Sequence, residues 1–293
     1  MNISRKIYST LQRRNSRYRF KKTIRSIILG SISVLILNCS DTLVFSVMGD
    51  VPRSDEEKII LQEQINKHNE LSQSQFVFHL GDIKSGNTPC TENNYELVAD
   101  YLKQLKAPVF IIPGDNEWND CEYPDQAWDY WNKYFLSFDQ NWKMTFDVQR
   151  QNNYEVNSAF VQKNVLFIAL NLVGGRIHNQ IEWDMMQNNA AEWINKNIQK
   201  KGIMATVILI QANPDIKHKL FMDQFIPLIE DFEKPVLLIH GDGHHWIYDE
   251  AWQVPNLTRV QVDKGGIADP LQVTVYGSSM KKFIFERYPF MDK

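Results

Sequence analysis

The sequence has 293 residues, 43% of them apolar and 23% charged, with eight Trp, eleven Tyr and sixteen Phe. That composition excludes a disordered chain, a collagen-like rod and a disulfide-dense miniprotein, and the length suits one large domain or two small ones. Residues 1–25 carry nine Lys/Arg and no acid, which leaves 23 basic against 35 acidic residues, a net −12, in the remainder. So acidic a body is unsuited to wrapping nucleic acid, whose binding rests on neutralising phosphates, and no nucleic-acid partner is expected.

Behind the basic run, Ser26–Leu37 is apolar and the first charge is Asp41. The stretch is shorter than the ~20 residues of a transmembrane helix and reads as an export signal. It ends Ile36-Leu37-Asn38-Cys39, which resembles a bacterial lipoprotein signal. The resemblance implies lipidation of Cys39, although Asn38 replaces the small residue usual there. A plain cleaved signal or an uncleaved anchor are the alternatives. Residues 1–39 are thus expected to be a signal segment and 40–293 a single domain. The expected location is the bacterial cell envelope or periplasm, with a membrane tether through Cys39 or the apolar segment. Cys90 and Cys121 remain as an even pair, expected to form a disulfide where disulfides persist.

The body alternates. Leu43–Met48 reads as a strand, Glu56–Leu71 as a helix, Phe76–Leu80 as a strand and Tyr95–Leu105 as a helix. Val109–Ile112 is a strand stopped by Pro113-Gly114. Strands follow at Ala159–Gln162 and Val165–Asn171, a helix at Ile181–Gln199 and a strand at Thr206–Ile210. A helix at Phe221–Phe232 precedes a strand at Val236–His240. The tail adds strands near Leu257–Val262, Val273–Tyr276 and Phe283–Glu286. Strands separated by helices predict βαβ units around a parallel core sheet, and the tail predicts a second sheet or an antiparallel extension. Trp118, Trp128, Trp131 and Trp142 crowd one region and are expected in the core.

Four apolar strands end in the same chemistry: Met48-Gly49-Asp50, Leu80-Gly81-Asp82, Pro113-Gly114-Asp115-Asn116-Glu117 and His240-Gly241-Asp242-Gly243-His244-His245. The intervals between the first three fit single βαβ units, so parallel strands deliver these residues to one sheet edge, where ligands bind in α/β folds. Buried carboxylates are costly without a cation. Carboxylate, amide and imidazole together suit Mn, Fe, Zn or Mg, one ion or two.

This succession resembles the calcineurin-like metallophosphoesterases, over roughly Thr42 to His245. The resemblance implies a four-layer α-β-β-α sandwich with two mixed β-sheets. It implies Asp50 as a first-site metal ligand, Asp82 as the bridging ligand, Asn116 as a second-site ligand and His244 as the last histidine of the set. Asp242 joins the metal set in place of a histidine. Pro52 stands where that family has a metal-binding histidine. Glu117 stands where Gly-Asn-His, followed by an acid, has the histidine that assists the leaving group. Gln211 or Asn213 replaces another histidine ligand. Glu117 and His245 are then the candidates for proton transfer. The expected function is an exported phosphoesterase that hydrolyses a small phosphorylated substrate through a metal-activated water. The alternative is an inactive binding domain of the same fold at the cell envelope.

Overall fold

The computed structural model describes residues 42–276 and 282–291. The signal-like segment 1–39, including Cys39, lies outside the described residues. Among those described, no helix is long and apolar enough to cross a membrane.

In chain order the elements are β1 (Thr42–Met48), α1 (Asp55–Leu71), β2 (Val77–His79), α2 (Glu92–Leu102), β3 (Val109–Ile111), α3 (Pro124–Phe135), β4 (Gln149–Gln151) and β5 (Tyr154–Gln162). Then come β6 (Val165–Ala169), α4 (Gln180–Ile198), β7 (Ala205–Leu209), α5 (Lys219–Phe232), β8 (Val236–His240), β9 (Ile247–Asp249), β10 (Leu257–Gln261), β11 (Leu271–Tyr276) and β12 (Phe283–Glu286). One sheet has the order β12-β11-β1-β2-β3, the other β4-β5-β6-β7-β8-β10-β9. β1, β2 and β3 run parallel, β11 pairs antiparallel with β1, and β12 pairs antiparallel with β11. In the second sheet β6, β7, β8 and β10 run parallel, β5 pairs antiparallel with β6, β4 with β5, and β9 with β10.

The apolar runs explain the layering. Every residue of β6, β7 and β8 is buried, as strands covered on both faces require. Between the sheets, Phe45, Phe76, Phe78 and Phe110 of the first meet Phe160 and Phe167 of the second. Phe110 and Phe160 stack at 4.8 Å, and Phe76 meets Phe167 edge-on at 5.0 Å. The outer face of the first sheet packs on Leu61, Ile65, Tyr95, Val98 and Trp131 of α1, α2 and α3. That of the second packs on Met186, Trp193, Phe221 and Phe225 of α4 and α5. The result is the expected four-layer α-β-β-α sandwich with two mixed sheets.

The expected elements all form, with ends moved by a few residues. α3, β4 and β9 lie outside the expected elements. Pro124 at the first turn of α3 pre-sets the helix, and Ala127, Trp131 and Phe135 are its buried stripe. Trp128 stacks on Trp131 at 5.5 Å and tilts against Trp118 at 4.5 Å, so the tryptophans build core.

Candidate metal centre at the sheet edge

Met48, His79 and Ile111 end three adjacent parallel strands, and the polar residues follow within a few positions. Asp50, Asp82 and Asp242 adopt left-handed backbone, with φ of 56°, 57° and 67°. Non-glycine residues take that region at a cost, and do so mostly where a site over-determines the backbone. The loops after β2 and β3 approach so closely that only glycine fits. A Cβ at Gly114 would lie 2.3 Å from the Asp82 amide nitrogen, and one at Gly81 would lie 2.3 Å from the Gly114 nitrogen.

Two groups of candidate ligands result, and they share a residue. Asp50, Asp82 and His244 form one, and Asp82, Asp115 and Asp242 the other. Within each group the ligand atoms all lie within 4.8 Å of one another. Asp82 therefore stands between the two, where the resemblance implied a bridge. Asp115 was absent from the sequence expectation, whereas Asn116 was in it. Asn116 is buried and directs its Nδ2 at Asp82 Oδ2, 2.8 Å away. Gln211 is equally committed. The Gly174 N–H donates to its Oε1 at 2.7 Å, which turns its Nε2 toward Asp115 Oδ1 at 2.6 Å and Asp82 Oδ1 at 3.4 Å. Its oxygen is thus held away from the carboxylates. Asn213 Oδ1 accepts from Arg259 at 3.4 Å.

Glu117 is fully buried. Its Oε1 accepts from the N–H groups of Asp82 (3.0 Å) and Gly114 (2.7 Å), and its Oε2 from Ile83 (3.2 Å). It braces the two loops from behind, a placement different from the proton-donating position expected of it. His245 is exposed, and its Nδ1 meets its own loop at Gly243 O, 2.7 Å away, outside both groups. His79 and His240 are core residues beneath the edge. His79 Nε2 meets Val51 O at 2.9 Å, and His240 Nδ1 meets Gly241 O at 3.0 Å.

Electrostatically, Asp115 and Asp242 of the second group form no salt bridge among the described residues, and the buried Lys84 is the cation whose charge acts on Asp82, Asp115 and Glu117. Burial, then the neighbouring Asp115, Glu117 and Asp50 charges, push Asp82 well above the usual carboxylate range. Burial and Asp242 raise Asp115 to about 6, and burial raises Glu117 to about 7. Asp242 is raised by burial and by Asp50. Three oxygen-donor carboxylates crowded and penalised in this way fit a hard divalent ion. The first group already contains a cation. Arg53 Nη1 lies 3.7 Å from Asp50 Oδ1 and 3.9 Å from Asp82 Oδ2, and it hydrogen-bonds His244 Nε2. Lys84 is buried nearby and donates to the carbonyls of Ser85 (3.1 Å) and Thr88 (2.8 Å). Burial lowers its pKa. A cavity of about 440 Å³ opens at the start of α1, lined by Arg53, Asp55, Glu56, Lys58, Ile83 and Lys84 among others; none of the candidate ligands lines it.

Two of these residues escaped sequence reading for different reasons. Asp115 had a signal. Gly114-Asp115-Asn116-Glu117 superposes without a gap on Gly-Asn-His-acid, which puts Asp115 at the asparagine and Glu117 at the acid. Arg53 had none, since a lone arginine after a proline has no motif.

Cys90 and Cys121 form the expected disulfide. Both sulfurs lie near the Asn116 carbonyl, at 3.5 and 3.6 Å, so the bond ties the loop after β2 to the loop after β3 directly behind the site. Closing a loop with a separation of 31 residues stabilises by about 3–4 kcal/mol in the chain-entropy account. Cys90→Ser/Cys121→Ser, or the reduced wild type, is expected to lose that amount in urea titration and to bind divalent ions more weakly.

The chain belongs to the calcineurin-like phosphoesterase family, whose profile matches residues 35–245. No curated protein matches it. Among solved structures it resembles a dimetal phosphatase from Danio rerio, with 11% identity, TM-score 0.57, and coverage of 84% of this chain and 96% of that one. It resembles GAP50, the anchor in the inner membrane complex of Plasmodium, with 12% identity, TM-score 0.54 and coverage of 86% and 85%. It also resembles the 5'-nucleotidase of Candida albicans SC5314, with 12% identity, TM-score 0.51 and coverage of 83% of this chain but 51% of that one. At such identities the likeness is one of fold.

Proposed function

We propose that the chain is an exported metal-dependent phosphoesterase acting on a small phosphorylated substrate. The observation that carries this reading is Asp82, common to two groups of candidate ligands at the strand ends of a phosphoesterase fold. Asp82, Asp115 and Asp242 would hold a divalent ion, and the all-oxygen set favours Mg or Mn over softer metals. Bound there, such an ion would supply Lewis acidity to a phosphoryl oxygen and a water nucleophile at neutral pH.

The chain's own groups supply the remainder. The Arg53 guanidinium offers a planar pair of donors matched to a phosphoryl group and neutralises the charge that develops on it. Lys84 adds a second positive charge to the cavity wall. Asn116 and Gln211 fix the carboxylates by donating to them, and Glu117 fixes the loops that carry them. Arg53 and Lys84 also line the neighbouring cavity of about 440 Å³, whose size suits the organic part of a small substrate and whose lining includes Asp55 and Glu56. The basic and apolar residues 1–37 support export, and the Cys90–Cys121 disulfide agrees with an oxidising envelope or periplasm.

The test is hydrolysis of p-nitrophenyl phosphate by the purified chain, before chelation, after it, and after return of Mn²⁺ or Mg²⁺. Activity that disappears with chelator and returns with the ion is expected. Activity indifferent to chelator, or none with any ion and any of a panel of small phosphate esters, refutes the reading.

A further inference from the structure

We propose that Arg53 takes the place of one of the two metal ions, so that this chain holds a single divalent ion, at Asp82, Asp115 and Asp242, beside a permanent organic cation. The inference rests on the metal-dependent reading above. Its starting point is how firmly Arg53 is held. Asp50 ends the loop after β1, and Val51-Pro52 carries the chain on to α1. Ser54 caps α1 by accepting from the Glu57 N–H at 3.2 Å, and the Glu57 carboxylate accepts from the Arg53 N–H at 2.7 Å. Lys264 in turn pairs with Glu57. The Arg53 backbone is therefore anchored at a helix start, three residues from Asp50, and its side chain is only 17% exposed.

The guanidinium reaches the three groups that would ligate an ion in the first position. It lies within 4 Å of Asp50 Oδ1 and Asp82 Oδ2 and donates to His244 Nε2. Each of these contacts uses what an ion would need. His244 Nε2 is already engaged, lying against the Arg53 guanidinium and 3.0 Å from Asp50 Oδ1. Asp50 is buried, and its Oδ1 faces His244 Nε2 at 3.0 Å and Arg53 without making a hydrogen bond, so the arginine charge is its principal compensation. A divalent ion entering there would have to displace a guanidinium from two buried carboxylates. It would also meet the like charge of that guanidinium, held nearby by the helix start. Arginine does not escape by deprotonation, since its pKa exceeds ~12. Pro52 adds no donor in exchange.

The second position is different. The ion pairs at the site fall on Asp50 and Asp82. Asp115 accepts from the Gln211 amide and shares a hydrogen bond with the Asp82 carboxyl, and Asp242 accepts from the Asn213 N–H, so neither is held by a charged donor. One position is thus filled by a cation of the chain in direct contact, whereas no cation of the described residues touches Asp115 or Asp242 at the other, where Lys84 acts only from a distance. A guanidinium there also does what a second ion would do for a phosphate ester, holding two of its oxygens and offsetting their charge.

The test uses the full chain dialysed against Mn²⁺, with bound manganese counted per chain and its electron paramagnetic resonance recorded. Wild type is expected to bind one Mn²⁺ with the six-line signal of an isolated ion. Arg53→Met, which keeps the stem and removes the charge, is expected to bind two with an exchange-coupled spectrum, and Arg53→Lys to remain at one. Two coupled ions in wild type overturn the inference, whether or not the variant folds. One ion in both wild type and a folded Arg53→Met overturns it and leaves the metal-dependent reading intact. No bound Mn²⁺ in any of the three overturns both.

Discussion

Asp82→Asn is expected to abolish ion binding and hydrolysis while making the metal-free chain more resistant to heat. The two effects have one cause. Asp82 is almost fully buried and belongs to both groups of candidate ligands, so no other residue replaces it. Even partners that only orient a ligand contribute about 10–100-fold to metal affinity, and loss of a shared ligand should exceed about 100-fold. In the metal-free chain the same carboxylate is a burden. It is crowded by Asp115, Glu117 and Asp50 in a desolvated place, which is why its pKa is pushed well up. Asparagine removes one negative charge, can still accept from Asn116, and can donate toward Asp115. Relief of about 1 kcal/mol corresponds to a rise of about 2–4 °C in the melting temperature of a domain this size. Calorimetry with and without Mn²⁺ checks both halves. A metal-free Asp82→Asn that melts below wild type, or one that Mn²⁺ still stabilises, contradicts the assignment.

The fold was legible because its signal is redundant. β6 is an unbroken apolar run, and β7 and β8 depart from one only at Thr206 and the terminal His240, as strands buried on both faces require. The strand-end aspartates were legible for the opposite reason, since a carboxylate after an apolar strand and a glycine is costly unless something binds it. What failed was finer than the pattern. The loop after β3 contains three adjacent polar side chains, and sequence alone does not say which one faces the site. Choosing Asn116 placed Glu117 at a catalytic position, whereas three backbone N–H bonds hold it behind the loops. Gln211 offered either an oxygen or a nitrogen, and the Gly174 N–H, from a different loop, decides which. Arg53 depends on a helix start and on the space left by Pro52, and neither is a motif. In each case the missing information lies in contacts between loops distant in sequence, which periodicity does not record.

Stabilisation by Mn²⁺ is expected to be large near pH 7 and nearly absent near pH 4.5, because the ion competes with protons for the same carboxylates. Among the candidate ligands Asp115 is raised to about 6, and Asp82 and Asp242 are also raised; Glu117, which braces the loops and is not a ligand, is raised to about 7. For these groups the folded chain holds protons more tightly than the unfolded one. Their contribution to stability is present below about pH 4 and is lost as pH rises through about 6 to 7. A shift of two units on one such group amounts to about 3 kcal/mol, and groups this close do not add. His68, His79 and His240 act in the opposite sense. Burial lowers each to about 4, so the folded chain keeps them neutral, and their contribution is lost as pH falls from about 6.5 to 4. The two sets oppose each other across one window, so the pH profile of the metal-free protein alone is a poor guide. The difference made by the ion is a sharper one. The buried histidines and Glu117 lie outside both groups of ligands and cancel in that difference, whereas the ligand carboxylates do not. Each proton displaced makes the apparent affinity about tenfold weaker per unit of acidification, so Mn²⁺ at 100 times its dissociation constant near pH 7 should lose most of its roughly 2.7 kcal/mol by about pH 5. Melting curves with and without Mn²⁺ at several pH values measure this directly. An increment that does not change with pH would mean that the ion binds elsewhere.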